Sequence, residues 1–398
     1  MTEGLIEQQD EFEQFLNHIR KSGIVAFDSE FVSEYTYRPQ LCLLQLATHQ
    51  RCVAVDPFRV ADLSSWWQVM ADDETTVVVH SGQAEVKFCL EHCGQRPRKL
   101  IDVQIAEGLH SCSFPVGYES LVRRVLDRPV YGRETRTDWR RRPLSKRQIH
   151  YALEDVEHIL PIWERQQESL RQRNRHTWAE DEFQRMIDTV EAELARESCE
   201  RISGFQKLRP REFAVARELA EWREQQAERL DQPARRILRD DLVIELARRQ
   251  PKTVPELLQT RDMTRPNYKR AANDLLQCIQ RAMAIPKSEL TTPPAGDRTE
   301  KNRHEQVLGQ LLGLALSNRC AEAGIARQLL GTSADLRHLL RRHVFGDSKG
   351  PPARLATGWR AEVCGNLLTD LMDGKLTIRV ANPTSDDPLV FERIEHTT

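Results

Sequence analysis

Short stretches of the chain place oxygen donors where they could hold a cation. In AFDSEF, Asp28 and Glu30 stand two residues apart in an otherwise apolar run, and on a strand that spacing puts both carboxylates on one face. Two negative charges side by side at the end of a buried strand repel unless a cation or a proton intervenes. Magnesium or manganese, hard ions that prefer oxygen, are the natural occupants. Taken alone, D-x-E also describes a solvated strand end. Much later, Tyr151 and Asp155 lie one helical turn apart, on a ridge beside the apolar stripe of Ile149, Ala152, Val156, Ile159, Leu160 and Trp163. From there Asp155 can face a sheet edge and complete a metal site, with the Tyr151 hydroxyl one turn earlier. A surface carboxylate beside a locally hydrogen-bonded tyrosine is the alternative for this pair by itself.

The elements that must position these groups can be read from periodicity. Residues 23 to 31, 41 to 48, 51 to 56, 75 to 80 and 99 to 104 are short β-rich runs, and helical stretches fall at about 62 to 71 and 83 to 93. Three closely spaced strands followed by strand-helix units predict a mixed sheet with helices packed on it. Ser145 with Gln148 forms a capping box that opens the helix carrying Tyr151 and Asp155, with its stripe running through Trp163. A charged helical stretch continues to about residue 200. A compact all-helical pattern follows from 207 to 286, with Phe213, Leu219 and Trp222, then Leu238, Leu242 and Leu246, then Leu275, Leu276 and Ile279 as apolar positions. PKSELTTPPAGDR, 286 to 298, reads as a linker. A further helical unit runs to about 373, and a terminal hairpin follows.

With 398 residues the chain predicts two or three domains. No apolar run approaches the roughly 20 residues a bilayer needs. The start, MTEGLIEQQDEFEQF, is acidic and has no apolar core, so neither a signal peptide nor a presequence is expected and the reading is cytoplasmic. Nine cysteines form no CxxC pair, and core packing is their expected role. The net charge of −2 hides a division: residues 1 to 200 hold 25 Lys and Arg against 34 Asp and Glu, whereas residues 201 to 398 hold 33 against 26. Of the 58 basic residues 47 are Arg, a planar fork that grips phosphate in two places. Residues 133 to 147, RETRTDWRRRPLSKR, carry seven cations and two acids. Arg136, Arg140, Arg141, Arg142 and Arg147 are therefore candidate phosphate contacts, while Trp139 is expected to be buried. No GxxxxGK[ST] loop occurs, so no nucleotide cofactor or ATP motor is expected.

Together these motifs resemble the DEDD exonucleases of the tyrosine subtype, and within them the ribonuclease D family. FDSEF followed by YRPQLCLLQLAT is similar to the first exonuclease motif, HSGQAEV (80 to 86) to the second, and RTDWRRRPLSKRQIHYALEDVEHILPIW (136 to 163) to the third. LRPREFAVARELAEWRE and RRILRDD resemble the HRDC domain, and LATGWRAE, more weakly, a second such module. The resemblance implies an α/β ribonuclease H-like exonuclease domain with a helical extension over 1–200, a mixed sheet with flanking helices. Two all-α domains would follow, HRDC over 207–288 and an HRDC-like unit with a C-terminal hairpin over 299–398. It implies a metal-dependent 3′–5′ exoribonuclease that trims structured RNA such as tRNA precursors. Asp28, Glu30, Glu85 and Asp155 would hold two divalent cations, Mg²⁺ or Mn²⁺, and Tyr151 would orient or help deprotonate the attacking water. RNA is the implied partner, and a monomer is the default.

One departure stands out. Where the family has aspartate as its fourth carboxylate, this sequence has Glu85, which moves the charge by roughly 1.5 Å on a fixed backbone. The longer arm can bend back or reach an ion through water. Two alternatives to the exoribonuclease follow: a 3′–5′ DNA exonuclease on the same fold, and an RNA-binding protein whose catalysis is weakened by Glu85.

Overall fold

The computed structural model describes residues 2–130, 137–294, 303–346 and 350–394. It begins with a strand, β1 (Thr2–Ile6), and a helix, α1 (Gln9–Ser22), that buries Phe12, Phe15, Leu16 and Ile19. The strands β2 (Ile24–Val32), β3 (Gln40–Ala47) and β4 (Arg51–Val55) form a meander. Then come α2 (Ser64–Ala71), β5 (Thr76–Val79), α3 (Gln83–Cys93), β6 (Leu100–Asp102), α4 (Val103–His110) and α5 (Tyr118–Leu126). One six-stranded sheet results, in the order β1-β4-β3-β2-β5-β6, with β3 antiparallel to both its neighbours and the remaining pairs parallel. The expected mixed sheet is present, with an additional first strand. TEGLI is short, half polar and contains a glycine, so its own pattern is weak; parallel pairing with β4 makes it a strand.

The third motif forms α6 (Lys146–Glu157), opened by the expected reciprocal bonds of Ser145 and Gln148. The helix expected to run on through Trp163 instead breaks at His158, and α7 (Ile159–Gln172) and α8 (His176–Ala195) follow. Pro161 is the physical reason: it has no N–H to give and its ring clashes with the carbonyl four residues back. All nine cysteines are free.

The next unit contains α9 (Pro210–Leu230), α10 (Ala234–Ile237), α11 (Asp240–Arg249), α12 (Val254–Leu258) and α13 (Pro266–Ala284). It closes a core of its own, including Phe213, Leu219, Leu242, Leu246, Leu275 and Ile279. The C-terminal elements are α14 (Arg303–Ala323), α15 (Arg327–Leu330), α16 (Ser333–Val344), α17 (Gly358–Cys364), α18 (Leu367–Met372) and the expected hairpin, β7 (Leu376–Val380) with β8 (Leu389–Arg393). Their buried side chains, Leu316, Leu340 and Trp359 among them, belong to the same continuous core as the sheet. Among the described residues no helix is long and apolar enough to cross a membrane.

The C-terminal elements approach the sheet domain closely. A side chain at Gly108 of α4 would put its Cβ 2.6 Å from Leu329 and 2.8 Å from Phe114, and the Ala326 N–H donates to the Gly108 carbonyl at 2.7 Å. Trp178 of α8 stacks on Trp359 with ring centres 5.2 Å apart. Beside them the buried Glu182 carboxylate accepts from Arg360 at 2.7 Å, Arg185 at 2.8 Å and Trp359 Nε1 at 3.1 Å. Burial works to raise its pKa, but Arg360 and Arg185 win and hold it below the usual carboxylate range. Truncation at this position strands the buried Arg360 guanidinium. Glu182→Ala is therefore expected to cost about 3–5 kcal/mol, read as a lower urea midpoint, with early proteolysis of the C-terminal elements. An unchanged midpoint would show that the ion pairs carry no docking energy. Because the folded pKa is depressed, this stabilisation is present above the unfolded pKa and fades as pH falls through the carboxylate range.

Candidate active site

The site is built where β2 outruns its neighbour. β5 pairs with β2 only from Ile24 to Ala26, so the segment with Asp28 and Glu30 is flanked on that side by the start of α3 instead. Opposite, β3 pairs antiparallel with β2, and the register shifts between Glu30 and Phe31. Such an irregularity at a strand end re-aims side chains.

Glu85 reaches the site because the turn before α3 is tight. Ser81 has φ 61°, and a Cβ on Gly82 would lie 2.2 Å from a Val79 methyl, so only glycine fits there. The Asp102 carboxylate accepts from the N–H groups of Ser81 at 3.1 Å and Gly82 at 3.0 Å, and from Gln104 at 2.8 Å. Thus Asp102 caps α4 and pins the turn that delivers Glu85, a structural role. Glu85 itself is 4% exposed, and the Ser29 hydroxyl donates to it at 2.6 Å. The longer side chain is held by a neighbour of both strand carboxylates.

From the other side, α6 packs across β2, β3 and β4, bringing Tyr151 and Asp155 to the same place. The Tyr151 hydroxyl hydrogen-bonds Asp155, and its ring lies 6.3 Å from that of Trp139, which is buried as expected. Tyr118 anchors this helix by donating to the Glu154 carbonyl at 2.6 Å.

All four carboxylates are held above their ordinary range, and the two on β2 feel the charges of the others. Burial, then the charges of Glu85, Asp155 and Glu30, push Asp28 well above the usual range. Burial, then Asp155 and Glu85, push Glu30 up to about 8. Burial raises Glu85 to about 7 against the opposing Ser29 hydrogen bond, and raises Asp155 to about 7 against that of Tyr151. The Tyr151 hydroxyl is pushed up too, by burial and by Asp155. Among the described residues none of the groups acting on Glu30, Glu85 or Asp155 is a cation. Nor do any three such donors converge tightly enough, as they stand, to enclose an ion. Mutual repulsion favours separation, and a hard divalent cation is the partner that this oxygen donor set fits.

Other groups here had little signal in the sequence. Gln45, cross-strand from Asp28, is fully buried, and neither its side-chain oxygen nor its nitrogen has a hydrogen-bond partner among the described residues. An unmet buried amide costs about 1–3 kcal/mol, so a glutamine inside the apolar run LCLLQLA was the available clue.

The arginines divide. Arg136 lies outside the described residues. Arg141 is exposed, as is Arg147 in the first turn of α6. Arg140 is gripped by Asp138, at 2.8 and 3.1 Å. The structure corrects the reading of Arg142 as a phosphate contact: its guanidinium turns inward to fully buried Asp56 at 2.6 and 2.8 Å and to the carbonyls of Trp139 and Cys42. The reason is the buried Asp56 carboxylate just after β4, a partner that no local pattern reveals.

Beside the carboxylates opens a 630 Å³ cavity that reaches from Glu30 and Tyr151 to Tyr35 and Arg140. The comparisons with known proteins agree with this geometry. A family model described as a 3′–5′ exonuclease matches residues 4–171, and one for the HRDC domain matches residues 212–279. Ribonuclease D of Desulfotalea psychrophila is 30% identical over 364 residues, 90% of this chain and 96% of that protein. The chain belongs to the ribonuclease D family. Ribonuclease D of Bartonella henselae is 29% identical over 383 residues, 95% and 92% of the two chains. Escherichia coli RNase D, an exoribonuclease involved in structured RNA processing, superposes with a TM-score of 0.81 at 25% identity, covering 94% of this chain and 99% of that one. This family member is a 3′–5′ exoribonuclease, and neither the DNA exonuclease nor the lapsed enzyme is favoured.

Two outcomes are expected from this site. Carboxylates whose folded pKa is raised contribute stability that is full below the unfolded pKa, near 4, and is lost as pH rises through about 7 to 8. Metal-free protein should thus lose thermal stability between pH 5 and 8, and Mg²⁺ should raise Tm more at pH 8 than at pH 5, because only the ionised carboxylates bind it. Equal gains at both pH values would count against a cation among these groups. Arg142→Ala should cost about 3 kcal/mol by urea denaturation, whereas Arg141→Ala should leave stability within ~0.5 kcal/mol.

Proposed function

We propose that Asp28, Glu30, Glu85 and Asp155 hold two divalent cations, Mg²⁺ or Mn²⁺, that the 3′ end of an RNA strand enters the adjoining cavity, and that Tyr151 orients the attacking water. One observation carries this reading: among the described residues, four carboxylates without a cationic partner gather at the end of β2, all held up by burial, and the two on the strand are pushed further by the charges of the others. Bound there, divalent cations make water nucleophilic near neutral pH and offset the charge that builds on the phosphate during in-line displacement. The chain supplies the rest. Ser29 restrains Glu85, so its extra methylene relative to the family aspartate does not leave the carboxylate free to swing. Tyr151 is held by Asp155 and by the buried Trp139 ring, which limits where its hydroxyl can point. Arg141 and Arg147, exposed on the approach to α6, would hold phosphates of the incoming strand, together with Arg136.

Structured RNA 3′ ends, tRNA precursors among them, are the proposed substrates, and the relative from Escherichia coli supports the class. The division 1–200, 207–288 and 299–398 is kept as a proposal, with the third part docked on the first.

A 5′-labelled RNA in Mg²⁺ or Mn²⁺ tests the site. The natural chain should shorten it from the 3′ end, and Asp28→Ala should lower the rate roughly a hundredfold or more. Glu85→Asp should stay within about tenfold of the natural chain. If only Glu85→Asp trims the RNA, the natural site is inactive and the reading fails.

A further inference from the structure

The carboxylates leave the far wall of the cavity unexplained. There Tyr35, on the loop between β2 and β3, is 46% exposed, and two guanidinium groups lie over its ring. Arg140 is 4.7 Å from the ring centre, and Arg236, from α10 of the HRDC domain, is 5.3 Å from it. The same loop is tied to the HRDC domain by polar contacts: the Tyr37 N–H donates to Asp231 at 3.1 Å, and Arg38 pairs with Glu228 at 3.4 Å. The HRDC core is closed without the exonuclease domain, so these polar contacts are not needed to fold it.

An exposed aromatic face holds each arginine only weakly, and two cations share this one ring. Asp138 offsets one of them by gripping Arg140. Arg236 has no carboxylate partner among the described residues, and it also lines a 450 Å³ groove on the HRDC domain with Trp222, Arg229 and Arg270. A strand leaving the cavity past Tyr35 therefore meets Arg236 and then a cationic, partly aromatic surface. Phosphates would offer both arginines a stronger partner than the ring, and a base would take the ring face they vacate.

We propose that Tyr35, with Arg140 and Arg236, is a substrate-positioning clasp at the mouth of the cavity: the ring stacks a base upstream of the 3′-terminal nucleotide while the two arginines hold adjoining phosphates. The clasp couples HRDC placement to substrate binding. It rests on the reading of the cavity as the place where the RNA 3′ end is bound.

The test uses the full chain and single-stranded RNA of about ten nucleotides carrying 2-aminopurine at each of the last four positions, bound to the Asp28→Ala protein. Quenching is expected at one internal position, lost when Tyr35→Ala is added and kept with Tyr35→Phe. In the cleaving enzyme Tyr35→Ala should raise KM about tenfold, the scale of one stacked base, with a smaller fall in kcat, and Tyr35→Phe should restore KM. Arg236→Gln should lower the slope of log KM against log salt by about one. This variant lies in the other domain, so it reads the clasp even if Tyr35→Ala is poorly folded. Unchanged quenching in Tyr35→Ala, or equal damage from Ala and Phe, would overturn the proposal. Undiminished cleavage by Asp28→Ala would instead sink the carboxylate reading, and the quenching pattern, then read in EDTA with an RNA whose 3′-terminal linkages are non-hydrolysable, would still decide on Tyr35.

Discussion

Four carboxylates crowd the end of the central strand with, among the described residues, no cationic side chain to offset them, and much of the molecule is arranged around that burial of charge. Burial alone makes each of them reluctant to ionise; for Asp28 and Glu30 the charges of the others add to the effect. A fold left to itself would relieve such strain by letting the groups swing into solvent. Here Asp28 and Glu30 are fixed by strand pairing, Asp155 by the ridge of α6, and Glu85 by the Ser29 hydroxyl. The protein keeps an unfavourable charge arrangement in place, which is what a site for hard cations requires.

Holding it depends on a second set of buried polar groups that never meet the substrate. Asp102 joins two consecutive turns, Tyr118 fastens the middle of α6, and the Arg142 pair with Asp56 anchors the approach to that helix. These are charge-assisted or backbone-directed bonds in low dielectric, where a partner lost leaves a costly orphan. The arginine-rich approach thus does two jobs: one guanidinium is structural, another is gripped by Asp138 beside Tyr35, and others remain at the surface.

The helical parts differ in how they join the sheet domain. The HRDC domain closes its own core and touches the exonuclease domain near Tyr35 through polar contacts. The C-terminal elements share one continuous core with the sheet and are locked on by Gly108, Trp178 and the Glu182 cluster. A large apolar interface resists motion, whereas a small polar one permits it. The unit nearest the cavity is therefore the one joined there through polar contacts rather than through a shared core.

Much of this was legible in the chain itself. Local periodicity determined most of the strands, the capping box at Ser145, the pairing of Asp28 with Glu30 on one strand, and the ridge of Tyr151 and Asp155, because each depends on residues a few positions apart. The break at Pro161 was written there too, although the apolar stripe runs straight past it. Other features belong to the tertiary structure alone. β1 is a strand through its partner. Arg142 is structural because Asp56 lies 86 residues away in sequence. Tyr35 and Arg236 meet across two domains, and Ser29 takes hold of Glu85 across 56 residues. Residue type and local spacing limit what a side chain can do, but which distant charge or ring it meets is set only when the chain closes on itself.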